Sequence, residues 1–369
     1  MAYGLTIANL YYCQPLLPEM ARAFGTGSAA EYLIAAGQLG YALALMFVVP
    51  LGDITRRRQL VRVLLCAEVV ALAVTAAAPT AALLLAAGAV IGLASAGVVN
   101  VLVAHAAGLA TGHERGRAVA TMLSGGLAGI LLSRTVAGLV SEVVGWRVLF
   151  IGAALVTSLL VAALSRVMEP SPPDLSLGYG AQLRATVRLV TRDRVLRRRS
   201  FVGAGAFAAF GCFWATVAYR LSESPYHYGP ARIGLLALAG AAGALAARYV
   251  GRAADRGRQL PLTRASLTLG VASFAAIWAG GEHLSWLLAG LTAMDLAVQA
   301  THLLNMSVVY GLVEGARARV ASVYMTIYTL GGVAGSTAGA AAYPAGGWTA
   351  VCLLGAAFMT AALAATFVR

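Results

Sequence analysis

The sequence has no lysine and few charged residues of any kind. Charged residues make up 11% of the chain, whereas hydrophobic residues make up 60% and the mean hydropathy is +0.80. One soluble core cannot bury so much apolar surface. A spanning helix needs roughly 20 apolar residues, and backbone in lipid must satisfy its own hydrogen bonds. The long Ala, Leu and Val runs therefore predict a membrane protein built of helices.

Signatures of catalytic and redox proteins are also missing. Without lysine the phosphate-binding signature GxxxxGK[ST] cannot occur, so ATP is not expected to be the direct energy source within this chain. Cys13, Cys66, Cys212 and Cys352 lie singly in apolar segments, without CxxC or metal-ligand spacing. We expect no metal site, no cofactor and no enzyme active site, because no cluster of acids or metal ligands is present.

The charge that is present is strongly positive, with a formal net charge of +13. In a soluble protein this would favour nucleic-acid binding. Here Arg22, Arg147, Arg220 and Arg232 lie near one alternating set of loops, Arg134 lies inside a predicted span, and all other arginines lie in or beside the other set. This positive-inside pattern predicts a multi-pass protein of the bacterial inner membrane, with both termini and the central loop in the cytoplasm. It argues against a nucleic-acid partner.

A short basic turn recurs along the chain. The segment Gly52–Arg58 lies between two apolar stretches, and a related segment, Gly251–Arg258, occurs further on. A constant offset of 202 residues separates Asp53 from Asp255, Gly145-Trp146 from Gly347-Trp348, and Arg117 from Arg319. One offset at a turn, a loop and a helix start indicates an internal duplication. We predict two homologous halves, 1–166 and 199–369, joined by a cytoplasmic linker, 167–198.

Each half contains six apolar stretches of spanning length. The prediction is an all-α membrane protein with twelve transmembrane helices in two pseudo-symmetric six-helix halves. The predicted spans cover about 1–19, 30–51, 59–78, 82–107, 118–140, 146–163, 200–219, 230–250, 262–280, 284–309, 319–342 and 347–368.

The linker contains a basic periodicity. Arg184, Arg188 and Arg192 recur every four residues and line one face of a predicted helix. With apolar residues on the rest of its surface, this helix is typical of an interfacial helix on the cytoplasmic leaflet. A solvated linker helix is the alternative.

Twelve spans, two halves, a central basic loop and paired turns after spans 2 and 8 together resemble the major facilitator superfamily over essentially the whole chain. The wider pattern is similar to the twelve-span bacterial drug-efflux branch, whose turn reads Gly, three residues, Asp-Arg, one residue, Gly-Arg-Arg. Val49, Ile54 and Arg56 depart from this pattern in the first copy. The matching residues are Asp53, Arg57 and Arg58 in the first copy and Gly251, Asp255 and Arg256 in the second.

Asp53 lies at the cytoplasmic end of span 2. A carboxylate there can face the positive N-terminal end of a helix from the other half, such as span 11, which begins near Arg319. We predict that Asp53, Arg57 and Arg58, with their second copy, act as a conformational latch that closes the cytoplasmic side. The alternative is that these arginines only set the topology.

Span 10 has a polar stripe inside the membrane. Asp295, Gln299, His302 and Asn305 follow one another at helical spacing, which puts them on one face. Ionisable groups at membrane depth need a partner or a function. The resemblance implies that spans 1, 4, 7 and 10 line a central cavity, so this stripe implies substrate-site lining. The alternative is interhelical hydrogen bonding.

Arg134 is a fixed positive charge within span 5. The antiporter signature implied by the resemblance reads Gly, three residues, Gly-Pro, two residues, Gly-Gly, and Arg134 stands where its Pro is expected. Arginine stays protonated and needs an anion or carbonyl groups. We hypothesise that Asp295 alternates between pairing with Arg134 and accepting a proton. His302 is a further candidate for the proton path, and Glu68 in span 3 is expected to be a structural partner.

Other polar and aromatic residues in the spans are candidates for the wall of a substrate cavity. Their side chains combine hydrogen-bonding groups with flat apolar surfaces, as small organic ligands require. The predicted cavity residues are Asn9, Tyr12, Gln14, Gln38, Asn100, Gln299, Asn305, Trp214, Tyr324 and Tyr328.

These features together predict a secondary active transporter, which exports a small organic or drug-like molecule by proton antiport through alternating access. The expected partners are a small-molecule substrate, protons and the lipid bilayer, and the protein is expected to be a monomer. A proton-coupled uptake symporter uses the same fold and carboxylate. A non-transporting membrane sensor or scaffold, and a membrane-embedded enzyme, are alternatives of other classes.

Overall fold

The structure is a computed structural model, and it describes residues 1–25, 29–109, 113–169, 178–240, 258–312 and 317–368. All regular secondary structure in these ranges is helical. The chain forms two compact units, the first of residues 1–184 and 229–234, the second of residues 185–228 and 235–369.

The first unit begins with a nearly continuous helical segment at the first predicted span. Short 3-10 helices at Gln14–Leu16 and Ala29–Tyr32 flank α2, and a π-helical turn, Ala44–Val48, follows α3. Its principal helices are α1 (Ala2–Tyr11), α2 (Leu17–Phe24), α3 (Leu33–Leu43), α4 (Leu51–Ile54), α5 (Arg57–Ala77), α6 (Ala81–Leu109), α7 (His113–Val144) and α8 (Trp146–Val167).

The remaining helices belong largely to the second unit. They are α9 (Tyr179–Arg192), α10 (Arg194–Ser222), α11 (Pro230–Leu236) with a 3-10 extension at Ala237–Gly240, α12 (Gln259–Ala279), α13 (Leu284–Val309) and α14 (Arg317–Ala365). The helix α9 lies inside the predicted linker, and its Arg184 and Arg188 side chains are exposed. Its position on a membrane leaflet stays a prediction.

Nine helical segments within the described ranges are long and apolar enough to cross a membrane. One of them, Arg319–Ala365, covers the predicted span 11 and most of the predicted span 12. Non-helical backbone at Gly346 and Gly347 separates the two. The start of the predicted span 8 is the shorter apolar segment Pro230–Gly240. The prediction of an all-helical membrane fold is confirmed.

The duplicated Gly-Trp pair marks the same backbone feature in both halves of the sequence. Gly145 has φ +81° between α7 and α8, and Gly347 has φ +62° at the break in α14. Positive φ is accessible to glycine because it lacks a Cβ atom. The tryptophan that follows is buried in both places, and the indole of Trp348 donates to the Ile277 carbonyl at 2.9 Å. The 202-residue repeat therefore corresponds to a repeated way of ending a helix.

Glycines also allow two pairs of helices to pack backbone against backbone. A Cβ on Gly129 of α7 would lie 2.3 Å from the Gly4 carbonyl oxygen of α1. A Cβ on Gly335 of α14 would lie 1.9 Å from the Ala208 carbonyl oxygen of α10. Both distances are far below van der Waals contact. These positions permit only glycine at the observed helix separation, as expected for small-residue packing in membranes.

Candidate functional site

A hydrogen-bonded polar cluster lies inside the first unit. Glu68 of α5 has 0% exposure. Its Oε1 atom accepts from Asn9 Nδ2 at 3.0 Å and from the Ser95 hydroxyl at 2.7 Å. The second Asn9 hydrogen bond goes to the Thr157 hydroxyl at 3.2 Å. We call Asn9, Glu68, Ser95 and Thr157 the Glu68 cluster; it joins α1, α5, α6 and α8.

A cavity of about 320 Å³ adjoins this cluster. It brings together Asn9 and Tyr12, both predicted cavity residues, with the Thr157 hydroxyl. The rest of its wall is apolar, and several rim residues are exposed, so a lipophilic molecule with one polar end fits its chemistry. Its lining residues are Leu5, Asn9, Tyr12, Val136, Val140, Val148, Leu149, Gly152, Ala153, Val156 and Thr157.

Arg134 lies in α7 with only 3% exposure. Its Nε atom donates to the Gln14 side-chain oxygen, and its guanidinium lies 5.1 Å from the centre of the Tyr11 ring. The structure thus brings Arg134 next to Gln14, another predicted cavity residue. Gln14 and Tyr11 are neutral groups, which attract a cation without neutralising it. The hypothesised pairing of Arg134 with Asp295 would join the two units and stays a prediction.

Two further predicted cavity residues lie in α3 and α6. Gln38 is buried in α3. Asn100 donates from Nδ2 to the Ala96 carbonyl of its own helix at 2.9 Å and also bonds the Tyr41 side chain. Asn100 is therefore held by its own unit and is less available to a ligand than its sequence position suggested.

In the second unit, the polar stripe of α13 divides among different neighbours. Asp295 is 8% exposed and abuts the 3-10 segment after α11, since a Cβ on Gly240 would lie 2.2 Å from its Oδ2 atom. Gln299 is partly exposed. His302 lies 3.3 Å, Nδ1 to hydroxyl, from Tyr324 of α14. Asp295 and His302 therefore contact different segments, and a shared role of the four side chains as one polar stripe stays a prediction.

Asn305, at the end of the stripe, contacts a residue that the sequence pattern did not single out. Its Oδ1 atom accepts from Arg199 Nη1 at 3.3 Å, and the same nitrogen lies 3.3 Å from the Thr263 hydroxyl. Arg199 is only 7% exposed, although it was grouped with the cytoplasmic arginines. The start of the helix could have indicated this burial. Because α10 begins at Arg194, Arg199 lies in its second turn and not in the loop before it.

Aromatic rings form a row along the interior of the second unit. Tyr328 stacks on Phe207 with ring centres 4.2 Å apart, and Phe207 stacks on Phe210 at 5.4 Å. Trp214 continues the row at 6.1 Å from Phe210. Tyr324 adjoins Tyr328 at 5.8 Å. Three predicted cavity residues therefore belong to one continuous aromatic surface, which we call the aromatic row.

The basic turn ties helix ends together within the first unit. Asp53 pairs with Arg57 at 3.4 Å, and Arg57 also donates to the carbonyls of Gly52 at 3.1 Å and Ala104 at 3.3 Å. Arg58 donates to the Ser165 carbonyl near the end of α8. The Asp53 side chain remains 59% exposed. The second-copy latch residues Gly251, Asp255 and Arg256 lie outside the described residues.

Sequence comparisons identify relatives over almost the whole chain. The family model of the Major Facilitator Superfamily matches residues 1–308. The chain is 40% identical over 357 residues to the putative uncharacterized transporter YgaY of Escherichia coli K12, covering 96% of this chain and 90% of YgaY. It is 33% identical over 370 residues to the probable transporter SCO4007 of Streptomyces coelicolor, covering 99% and 85% of the two chains.

Solved structures share the fold. A bacterial homologue of the human lysosomal transporter Spinster, inward-facing and unoccupied, matches with a TM-score of 0.78 and 13% identity over 99% of this chain and 92% of that chain. The human organic anion transporter MFSD10 matches with a TM-score of 0.68 and 21% identity over 99% and 97%. The fold, the family match and the near full-length relatives agree: this chain belongs to the major facilitator superfamily, whose members are secondary transporters and not enzymes.

Proposed function

We propose that this transporter exports a small organic or drug-like molecule by proton antiport. The observation that carries the proposal is the burial of Asp295 in the middle of an apolar helix, because a carboxyl at membrane depth is costly unless it has a function or a partner. A carboxyl side chain can bind and release a proton as its surroundings change.

Arg134 supplies the second half of the coupling mechanism. When Asp295 is ionised, Arg134 stabilises it. When Asp295 carries a proton, Arg134 remains held by Gln14 and the Tyr11 ring, so its charge is not left without contacts. Substrate binding would compete with one of these two states, which links transport to proton movement.

Two surfaces support a lipophilic organic substrate. The aromatic row offers flat rings that stack on planar groups, and the cavity beside Asn9 and Tyr12 has an apolar wall with few polar atoms. Both surfaces suit drug-like molecules better than sugars, which require many hydrogen-bonding partners.

Proton-coupled uptake is the second candidate, since it uses the same Asp295 carboxyl. Everted membrane vesicles with an imposed pH gradient distinguish the two. An exporter that exchanges substrate for protons collapses the gradient when its substrate is added outside the everted vesicles, whereas uptake by symport gives proton movement in the opposite sense. A screen of lipophilic compounds that never alters the gradient would contradict proton coupling in either direction.

We further propose a membrane topology for the chain and a role for the Asp53 turn as a conformational latch. Both termini and the 167–198 linker face the cytoplasm, the protein is a monomer, and the two halves 1–166 and 199–369 rock about a central site. The exposed carboxylate of Asp53 is available to the N-terminal end of a helix, while Arg57 and Arg58 hold its turn in place.

Replacing Asp53 by Asn tests the latch. A charge–dipole contact at an exposed site contributes about 0.3 to 1 kcal/mol, so the cytoplasmic side should open about two- to fivefold more often. The measurement is labelling of cytoplasmic-side cysteines introduced into a cysteine-free background, together with transport rate. Glu282→Gln, at another exposed carboxylate, is the matched control. Unchanged labelling and transport in Asp53→Asn would leave the arginines with a topological role only.

A further inference from the structure

We propose that Glu68 is a second proton-binding site, and that Ser95 passes its protonation state to α1. This inference deepens the proposed proton-coupled function. Only the role of Glu68 in transport rests on that proposed function. Proton binding itself is a property of the first unit and can be measured without any substrate.

Among the described residues, Glu68 has no positively charged partner. Its Oε1 atom accepts two hydrogen bonds from neutral groups, and its Oε2 atom has no hydrogen-bond partner among the described residues. Glu68 makes no ion pair with any described residue. The nearest charged residue on its own helix, Arg62, lies six residues away, about 9 Å along the helix axis, and its side chain is exposed.

The helices packed against Glu68 contribute almost only neutral side chains. The helix α6 contributes Ser95, α8 contributes Thr157 through Asn9, and α1 contributes Asn9 itself. Among the described residues, the phenol of Tyr12, next to the end of α1, is close enough to interact electrostatically with Glu68. An ionised carboxylate buried among such groups is costly, whereas a protonated carboxyl needs only an acceptor for its hydrogen.

Ser95 can be that acceptor. Its hydroxyl carries one hydrogen but lies within bonding distance of two acceptors, Glu68 Oε1 at 2.7 Å and the Thr6 carbonyl oxygen at 3.2 Å. When Glu68 is ionised, Ser95 donates to the carboxylate. When Glu68 is protonated, the carboxyl donates to Ser95 Oγ, and the serine hydrogen turns to Thr6 of α1. Each state satisfies every hydrogen in the pair, so the geometry serves both.

Two cavities come close to this site through Asn9. Asn9 bonds Glu68 directly and lines both the cavity of about 320 Å³ and a second cavity of about 20 Å³. The smaller volume is enough for one water molecule. Protonation would reverse the hydrogen bond between α5 and α6 and add one between α6 and α1, the helix that carries the predicted cavity residue Asn9 and ends next to Tyr12.

Infrared difference spectroscopy of the full-length protein in lipid vesicles, without substrate, tests the site. The wild type should show the carbonyl band of a protonated carboxyl that shifts in D₂O and disappears reversibly as pH rises. Labelling glutamate side-chain carboxyls with ¹³C should move this band, which separates it from Asp295. Glu68→Gln should remove it, and the exposed-site control Glu282→Gln should leave it unchanged.

Two further variants keep the test decisive. If Glu68→Gln fails to fold, Glu68→Asp in the ¹³C-glutamate protein should return the band to its unlabelled frequency. Ser95→Ala should keep the band but change its frequency, because the carboxyl loses the acceptor of its O–H group.

A wild type with no ¹³C-sensitive carboxyl band that titrates reversibly would overturn the proton site. An unchanged frequency in Ser95→Ala would overturn the role of Ser95. Neither result depends on whether the protein exports or takes up its substrate.

Discussion

Replacing Asp295 by Asn is expected to reduce gradient-driven transport to the level of protein-free vesicles. Asparagine has almost the same shape as aspartate but cannot carry a proton between two states. Because Asp295 packs against Gly240, the isosteric change should leave the fold intact. Substrate binding should therefore persist, while an imposed pH gradient no longer drives accumulation.

The measurement compares substrate accumulation with and without a pH gradient, and equilibrium substrate binding, in vesicles that contain equal amounts of folded protein. Glu282→Gln serves as the control for removal of a carboxylate. Full gradient-driven flux in Asp295→Asn would refute its role in coupling and would make Glu68 the first alternative to examine.

The hypothesised partnership with Arg134 has its own test within the same assay. If Arg134 and Asp295 act as a pair, Arg134→Gln should lower equilibrium substrate binding less in the Asp295→Asn background than in the wild type, because the interaction is already broken. Two independent residues would instead give losses that multiply.

Replacing Gly335 by Ala should lower the stability of the protein by about 1 to 3 kcal/mol, the usual cost of overpacking. The added methyl group would lie 1.9 Å from the Ala208 carbonyl oxygen, so α10 and α14 must separate. Alanine favours a helix over glycine by about 1 kcal/mol, so without the close contact the replacement would raise the stability. A loss of stability would therefore report the contact itself. Thermal unfolding in detergent measures it.

Gly152→Ala is the matched control for this prediction. Gly152 lies within α8, and a Cβ there meets nothing within 4 Å. This variant should be as stable as the wild type or more stable by up to about 1 kcal/mol. If Gly335→Ala behaved like Gly152→Ala, α10 and α14 would not pack as closely as the structure shows.

Features that depend on the local sequence were predictable. Hydropathy predicted the spanning helices, and the Gly-Trp repeat located the breaks at Gly145 and Gly347, because chain reversal there needs positive φ. The spacing from Asp295 to Asn305 predicted a polar stripe on one face of span 10, and the structure forms this span as a single helix. Periodicity of this kind is a property of a single helix.

Contacts between distant segments were not predictable in the same way. Asn9 and Thr157 are 148 residues apart in the chain, and nothing in either segment indicates that they meet beside Glu68. The sequence places Arg199 among the loop arginines. Its burial depends on where α12 and α13 pack against α10, which the sequence alone does not show. Lateral packing of helices decides such contacts, and one sequence does not encode it in a readable pattern.

The close packing of α10 and α14 has a consequence for the aromatic row. Its rings project from both helices, Phe207 and Trp214 from one and Tyr328 from the other. Because Gly335 holds these helices backbone to backbone, they cannot slide past each other without breaking that contact. The packing of the two helices thus sets the spacing between the rings, and under the proposed function this spacing would select ligands by the distance between their own planar groups.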